Sequence, residues 1–197
     1  MIKQLKFKKL LNEYRSVFYE LEYVNEALRE ANHEFEKHKN VFCGRKQVEQ
    51  GKLDERNSER IKSIYSSSDI TKAIVKPKPE SVYNPKKIFR QIARKFHPDT
   101  LSPEDPRLEE YETVFKKAAA AIDNHSWGDL FDIAERYNLE LEDYETINGL
   151  LKQEIKLVQN KIDHKKGTYA WLFHCCEGDE DKNDLIRKFL SHLYGSW

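Results

Sequence analysis

The 197-residue chain carries 34 lysines and arginines against 34 aspartates and glutamates, and its residues are 39% hydrophobic and 35% charged. Zero net charge argues against a general nucleic-acid binder, no apolar run reaches membrane-spanning length, and three scattered cysteines are too few for a disulfide framework. Such a composition suits amphipathic helices, and Lys3, Lys6, Lys8 and Lys9 interrupt the stretch where a secretory leader would need its apolar core, so a cytoplasmic location is expected.

Residues 1–40 carry a three-four pattern. Phe7, Leu11, Tyr14, Phe18, Leu21, Asn25, Leu28, Asn32 and Phe35 alternate steps of four and three, which predicts a coiled-coil helix with two polar breaks. From 41 to 83 the pattern dissolves. Gly44 and Gly51 interrupt it, three serines follow at 66–68, and lysines and prolines alternate at 76–79. This reads as a polar linker, with one short helix near Leu53 to Tyr65.

Residues 85–99 are the most informative. Asn84 suits an N-cap and Pro85 a first helical turn. Ile88, Phe89, Ile92 and Phe96 then share one face, while Lys87, Arg90 and Arg94 share another. With Lys86 and Lys95 the stretch from Pro85 to Phe96 carries five cations and no acid. Pro98 drives His97 out of helical angles, so the helix should stop there and present His97 and Asp99 on a stiff loop. Next, Ser102 or Asp105 caps a helix with Leu108, Tyr111, Phe115, Ala118 and Ile122 in a stripe. Ser126 to Asp129 reads as a capping box opening a further helix with Trp127, Leu130, Phe131 and Ala134 on one face.

A basic helix ending at His97-Pro98-Asp99, followed by an apolar helix, resembles the J domain of DnaJ-type co-chaperones. The resemblance covers residues 84–140. It implies an antiparallel helical hairpin and a DnaK-class seventy-kilodalton heat-shock chaperone as partner. That chaperone would be met by His97, Pro98, Asp99, Lys86, Lys87, Arg90, Arg94 and Lys95, and its ATP hydrolysis stimulated. Two departures stand out: no first J helix is recognisable before residue 84, where Lys76 to Pro79 argue for extended chain, and the accessory regions of full-length DnaJ proteins are missing.

Residues 141–166 hold a second seam of Leu141, Tyr144, Asn148, Leu151, Ile155, Val158 and Ile162. The expected architecture is therefore all-α: the J-like hairpin plus a long antiparallel coiled-coil stalk of the N- and C-terminal helices, with Asn25 opposite Asn148. The tail, 167–197, should fold back through Leu185, Ile186, Phe189, Leu190 and Leu193, stalk and tail being left to hold a client or adaptor. His174, Cys175 and Cys176 lack the spaced-pair pattern of a zinc site, and no phosphate loop or nucleophile elbow occurs, so neither metal, cofactor nor enzymatic activity is expected. Against the co-chaperone reading stands a structural adaptor that keeps the hairpin only as a scaffold.

Overall fold

The computed structural model describes residues 1–45, 86–100, 102 and 104–194. Among them the chain is all-α, with seven helices and no strand. The helices are α1 (Ile2–Arg45), α2 (Lys86–Phe96), α3 (Leu108–Asp123), α4 (Trp127–Arg136), α5 (Tyr144–Lys166), α6 (Tyr169–His174) and α7 (Asp179–Tyr194). None of these is long and apolar enough to cross a membrane. The helix expected near Leu53 to Tyr65, the extended segment before residue 84 and the caps at Asn84 and Pro85 lie outside the described residues. The chain divides into two compact units, residues 1–21 with 80–161 and residues 22–79 with 162–197.

In the first unit, α2 buries Ile88, Ile92 and Phe96, the positions its apolar spacing selects. Phe96, the last residue of α2, meets Tyr111 near the start of α3, with ring centroids 4.8 Å apart. α4 packs on both α2 and α3 and buries Trp127, Leu130, Phe131, Ile133 and Ala134. It thus covers apolar surface of the α2–α3 pair. Burying Leu130, Phe131 and Ile133 contributes roughly 1.5–3 kcal/mol apiece.

Both α3 and α4 end in the same hydrogen-bonded turn. His125 N–H donates to Ile122 O and Ser126 N–H to Ala121 O; Asn138 and Leu139 repeat this with Glu135 and Ala134. His125 and Asn138 adopt φ of 55° and 52°, the left-handed conformation such a terminus requires.

The pairing of α1 with α5 in this unit corrects the expected antiparallel stalk. Lys3 pairs with Glu145 at 2.7 Å, and Asn148 Nδ2 donates to Lys3 O at 3.2 Å. Further along both helices, Lys9, Leu10 and Glu13 share a cleft with Lys152 and Ile155. The two helices therefore run in the same direction. A heptad stripe states which face is apolar, and nothing about the direction of the partner. Asn148 is buried as its seam position requires, whereas Asn25 and Asn32 are exposed. From Leu21 onward α1 instead buries Val24, Leu28, Ala31 and Phe35, so its steps of three and four change order and the asparagines stay in water.

The first turn of α4 lodges against α1. Tyr14 is buried, and its ring lies so close to Gly128 that a β-carbon there would come within 2.3 Å of it. Arg15 pairs with Asp132 at 2.6 Å and with Glu135 at 3.2 Å.

In the second unit, the later part of α1 packs against α6 and α7. Phe35, Phe42, Cys43, Phe173, Ile186 and Leu190 form its buried cluster, flanked by Tyr169, Leu185, Phe189 and Tyr194. Phe35 stands edge-on to Phe173 at 5.5 Å and to Phe189 at 5.0 Å. The apolar face expected for the tail is thus the face that closes this core. Thr168 caps α6 by accepting from Trp171 N–H.

Candidate functional site

α2 starts with Lys86 and Lys87, which oppose the helix dipole, and ends with Arg94 and Lys95, which favour it. No acid lies in its first turn. Part of this charge is answered within the first unit. Lys87 pairs with Glu142, and Lys95 Nζ donates to Tyr137 O at 3.1 Å while sitting 5.5 Å from the Phe96 ring centre. Gln91 clamps the backbone of Glu140, donating to its carbonyl and accepting from its N–H, both at 3.0 Å. Arg90 and Arg94 are different. They are exposed, and no carboxylate among the described residues engages either. Lys86 is also exposed.

α2 stops at Phe96, one residue before the His97-Pro98 pair, and Pro98–Thr100 form a single 3-10 turn. The His97 ring rests edge-on against Phe115 of α3, centroids 5.0 Å apart. Its Nδ1 accepts from Asp99 N–H at 3.3 Å and lies 3.5 Å from the Asp99 carboxylate. These contacts tie the loop to the hairpin beneath it. The Asp99 side chain remains 87% exposed and that of His97 40%. The loop therefore presents an exposed carboxylate, and the imidazole braces the loop backbone beneath it.

Tyr137, just past α4, braces the same end. Its ring packs on Phe96 at 4.6 Å and its hydroxyl donates to Glu110 at 2.9 Å. Burial raises its ionisation above the usual phenol value. After the loop, Asp105 closes a small turn rather than the helix, accepting from Arg107 N–H at 2.9 Å and from its guanidinium. Those bonds hold its carboxyl down at about 2. Arg107 occupies the cap position of α3 without a side-chain bond to the helix backbone, because Asp105 is spent on the turn before it.

All eight expected site residues thus belong to one helix and the loop that ends it. His97, Asp99, Arg90 and Arg94 face solvent, whereas Lys87 and Lys95 have partners in the chain. Sequence reasoning missed Gln91, Phe115, Tyr137 and Glu142, whose roles depend on contacts between distant segments. Only Phe115, already in the α3 stripe, carried a local signal.

The tail residues offer a different picture. Cys43 is buried, Cys176 Sγ donates to Leu172 O at 3.3 Å, and Cys175 is exposed. Among the described residues no group of three or more His, Cys, Asp or Glu side chains is arranged to hold a metal ion.

The chain matches no protein-family model, no curated protein and no solved structure.

Proposed function

We propose that this protein is a J-domain-type co-chaperone that docks on a DnaK-class chaperone through α2 and the His97-Pro98-Asp99 loop and stimulates its ATP hydrolysis. One observation carries the reading: an exposed carboxylate, beside an imidazole that packs on Phe115, follows a helix whose Arg90 and Arg94 have no partner among the described residues. An aspartate held this way is suited to a two-pronged bond with an arginine on another protein. Pro98 restricts the loop beforehand, so docking orders less backbone. Uncompensated cations beside it favour approach to an acidic surface and make association depend on salt. His97 acts by packing and holding the loop, not by moving a proton. A client or adaptor would be held elsewhere on the chain.

The second reading, an adaptor that keeps the hairpin as scaffold, has an observation of its own. Lys87 and Lys95 are turned to Glu142 and Tyr137, so part of the basic face stabilises the fold.

Binding to a DnaK-class chaperone in its ATP state separates the two. The co-chaperone reading requires that the parent binds and that Asp99→Asn, a change at an exposed side chain, loses binding while melting as the parent does; His97→Gln should lose binding too while remaining folded. Equal binding by all three proteins would favour the scaffold.

A further inference from the structure

A second cluster, in the same unit as the loop but built from other residues, joins α1, α4 and α5. Ser126 occupies the position before α4, yet its hydroxyl makes no cap to the helix backbone. The cap comes from α5 instead: Glu154 Oε2 accepts from Gly128 N–H at 2.6 Å. Ser126 Oγ lies 2.7 Å from Asp129 Oδ2 and 3.1 Å from Glu154 Oε1. The other Asp129 oxygen accepts from the Tyr14 hydroxyl at 2.8 Å.

Counting hydrogens on this chain shows a deficit. Tyr14 spends its one hydroxyl hydrogen on Asp129 Oδ1, and Gly128 spends its amide hydrogen on Glu154 Oε2. Ser126 has one hydrogen left for two carboxylate oxygens. With both acids ionised, one of those contacts places an oxygen lone pair against another. One added proton repairs it: Glu154 Oε1–H donates to Ser126 Oγ, and Ser126 donates onward to Asp129 Oδ2.

We propose that the Glu154–Ser126–Asp129 chain holds one proton in mildly acidic solution, seated on Glu154, and that releasing it as the pH passes neutrality opens the Ser126 bridge between α4 and α5. Burial is the chief reason Glu154 keeps the proton, pushing its ionisation up to about 7 against the amide bonds that pull it down. The groups facing it reinforce this. From α4 comes Asp129, a like charge, and from α1 Tyr14, whose own ionisation burial and the two acids raise. Arg15, next to Tyr14 on α1, is committed to Asp132 and Glu135, and the His125 ring stacks on Trp127. No cation among these neutralises Glu154. Proton loss to solvent leaves two carboxylates competing for one hydroxyl hydrogen, and the Ser126 bridge to one of them breaks.

The sign of the pH dependence follows. The folded chain holds the proton more tightly than the unfolded one, so the added stability is complete below the ordinary glutamate value of 4.5 and is lost as pH rises to about 7. The test follows the carboxyl carbons of the full chain by NMR over this range, with Glu154→Gln assigning the signal. We expect Glu154 to titrate near 7, and the amides of residues 126–129 to shift with the same midpoint. Asp129→Asn, whose amide can donate to Ser126 and free its hydrogen for Glu154, should move that midpoint down toward 4.5. Glu154→Gln mimics the protonated acid, so its melting temperature above pH 7 should equal or exceed the parent's. A parent midpoint in the ordinary glutamate range, or a midpoint unmoved by Asp129→Asn, overturns the proposal.

Discussion

In the second unit Lys39, Lys166, Lys182 and Arg187 each lie over an aromatic ring, between 5.1 and 6.0 Å from its centre. Lys39 and Arg187 are also paired with Glu36 and Asp184. On α2, in the first unit, Arg90 and Arg94 have neither ring nor carboxylate among the described residues, though Lys87 and Lys95 on the same helix have partners. The chain as a whole is neutral, so a shortage of acids does not explain the contrast. Cations that serve a fold find their partners inside it. Cations left open beside an exposed aspartate are better suited to a partner from outside.

Removing a support of the self-satisfied region should cost most. Phe173 touches Phe35 and His38 in the core of the second unit, and Phe173→Ala should lower stability by about 3–5 kcal/mol in urea unfolding. A loss below about 1 kcal/mol would mean that this cluster is not a packed core. In the first unit Gly128→Ala forces a methyl group into the Tyr14 ring and should cost about 1–3 kcal/mol in the same assay. The reverse exchange at a strained position should help: His125→Gly relieves a left-handed backbone and is expected to gain about 1 kcal/mol.

The open cations should behave otherwise. Arg90→Glu with Arg94→Glu should leave stability within about 0.5 kcal/mol of the parent, as exposed substitutions do. The same pair should slow association with a DnaK-class chaperone, most strongly at low salt, measurable by stopped-flow mixing. An unchanged association rate would erase the contrast between the two regions. Lys87→Ala, which breaks an exposed pair with Glu142, should cost no more than about 1 kcal/mol and change association less than the double reversal.

What was legible in the sequence follows the range of the interactions involved. Ile88, Ile92 and Phe96, the stop before Pro98, and the apolar face at Ile186 and Leu190 are local periodicities or backbone rules, and all could be read directly. The direction of α1 relative to α5 could not, because Leu11 or Leu151 is equally apolar to a helix running either way. Asn25 and Asn32 fitted the spacing but lost to Val24 and Ala31, one residue away and cheaper to bury. Ser126 and Asp129 had the letters of a capping box, yet the half-buried carboxylate of Glu154, 28 residues beyond Ser126, took the backbone donor. The docking site was legible because it is contiguous; the residues that brace it, Gln91, Tyr137 and Glu142, were not, because they meet it only in the fold.

Single-turnover ATP hydrolysis by a DnaK-class chaperone, with and without this protein, tests the central claim most directly. The account predicts a several-fold faster rate with the parent chain and the basal rate with Asp99→Asn. A rate that the parent leaves unchanged, or that Asp99→Asn raises equally, would contradict it.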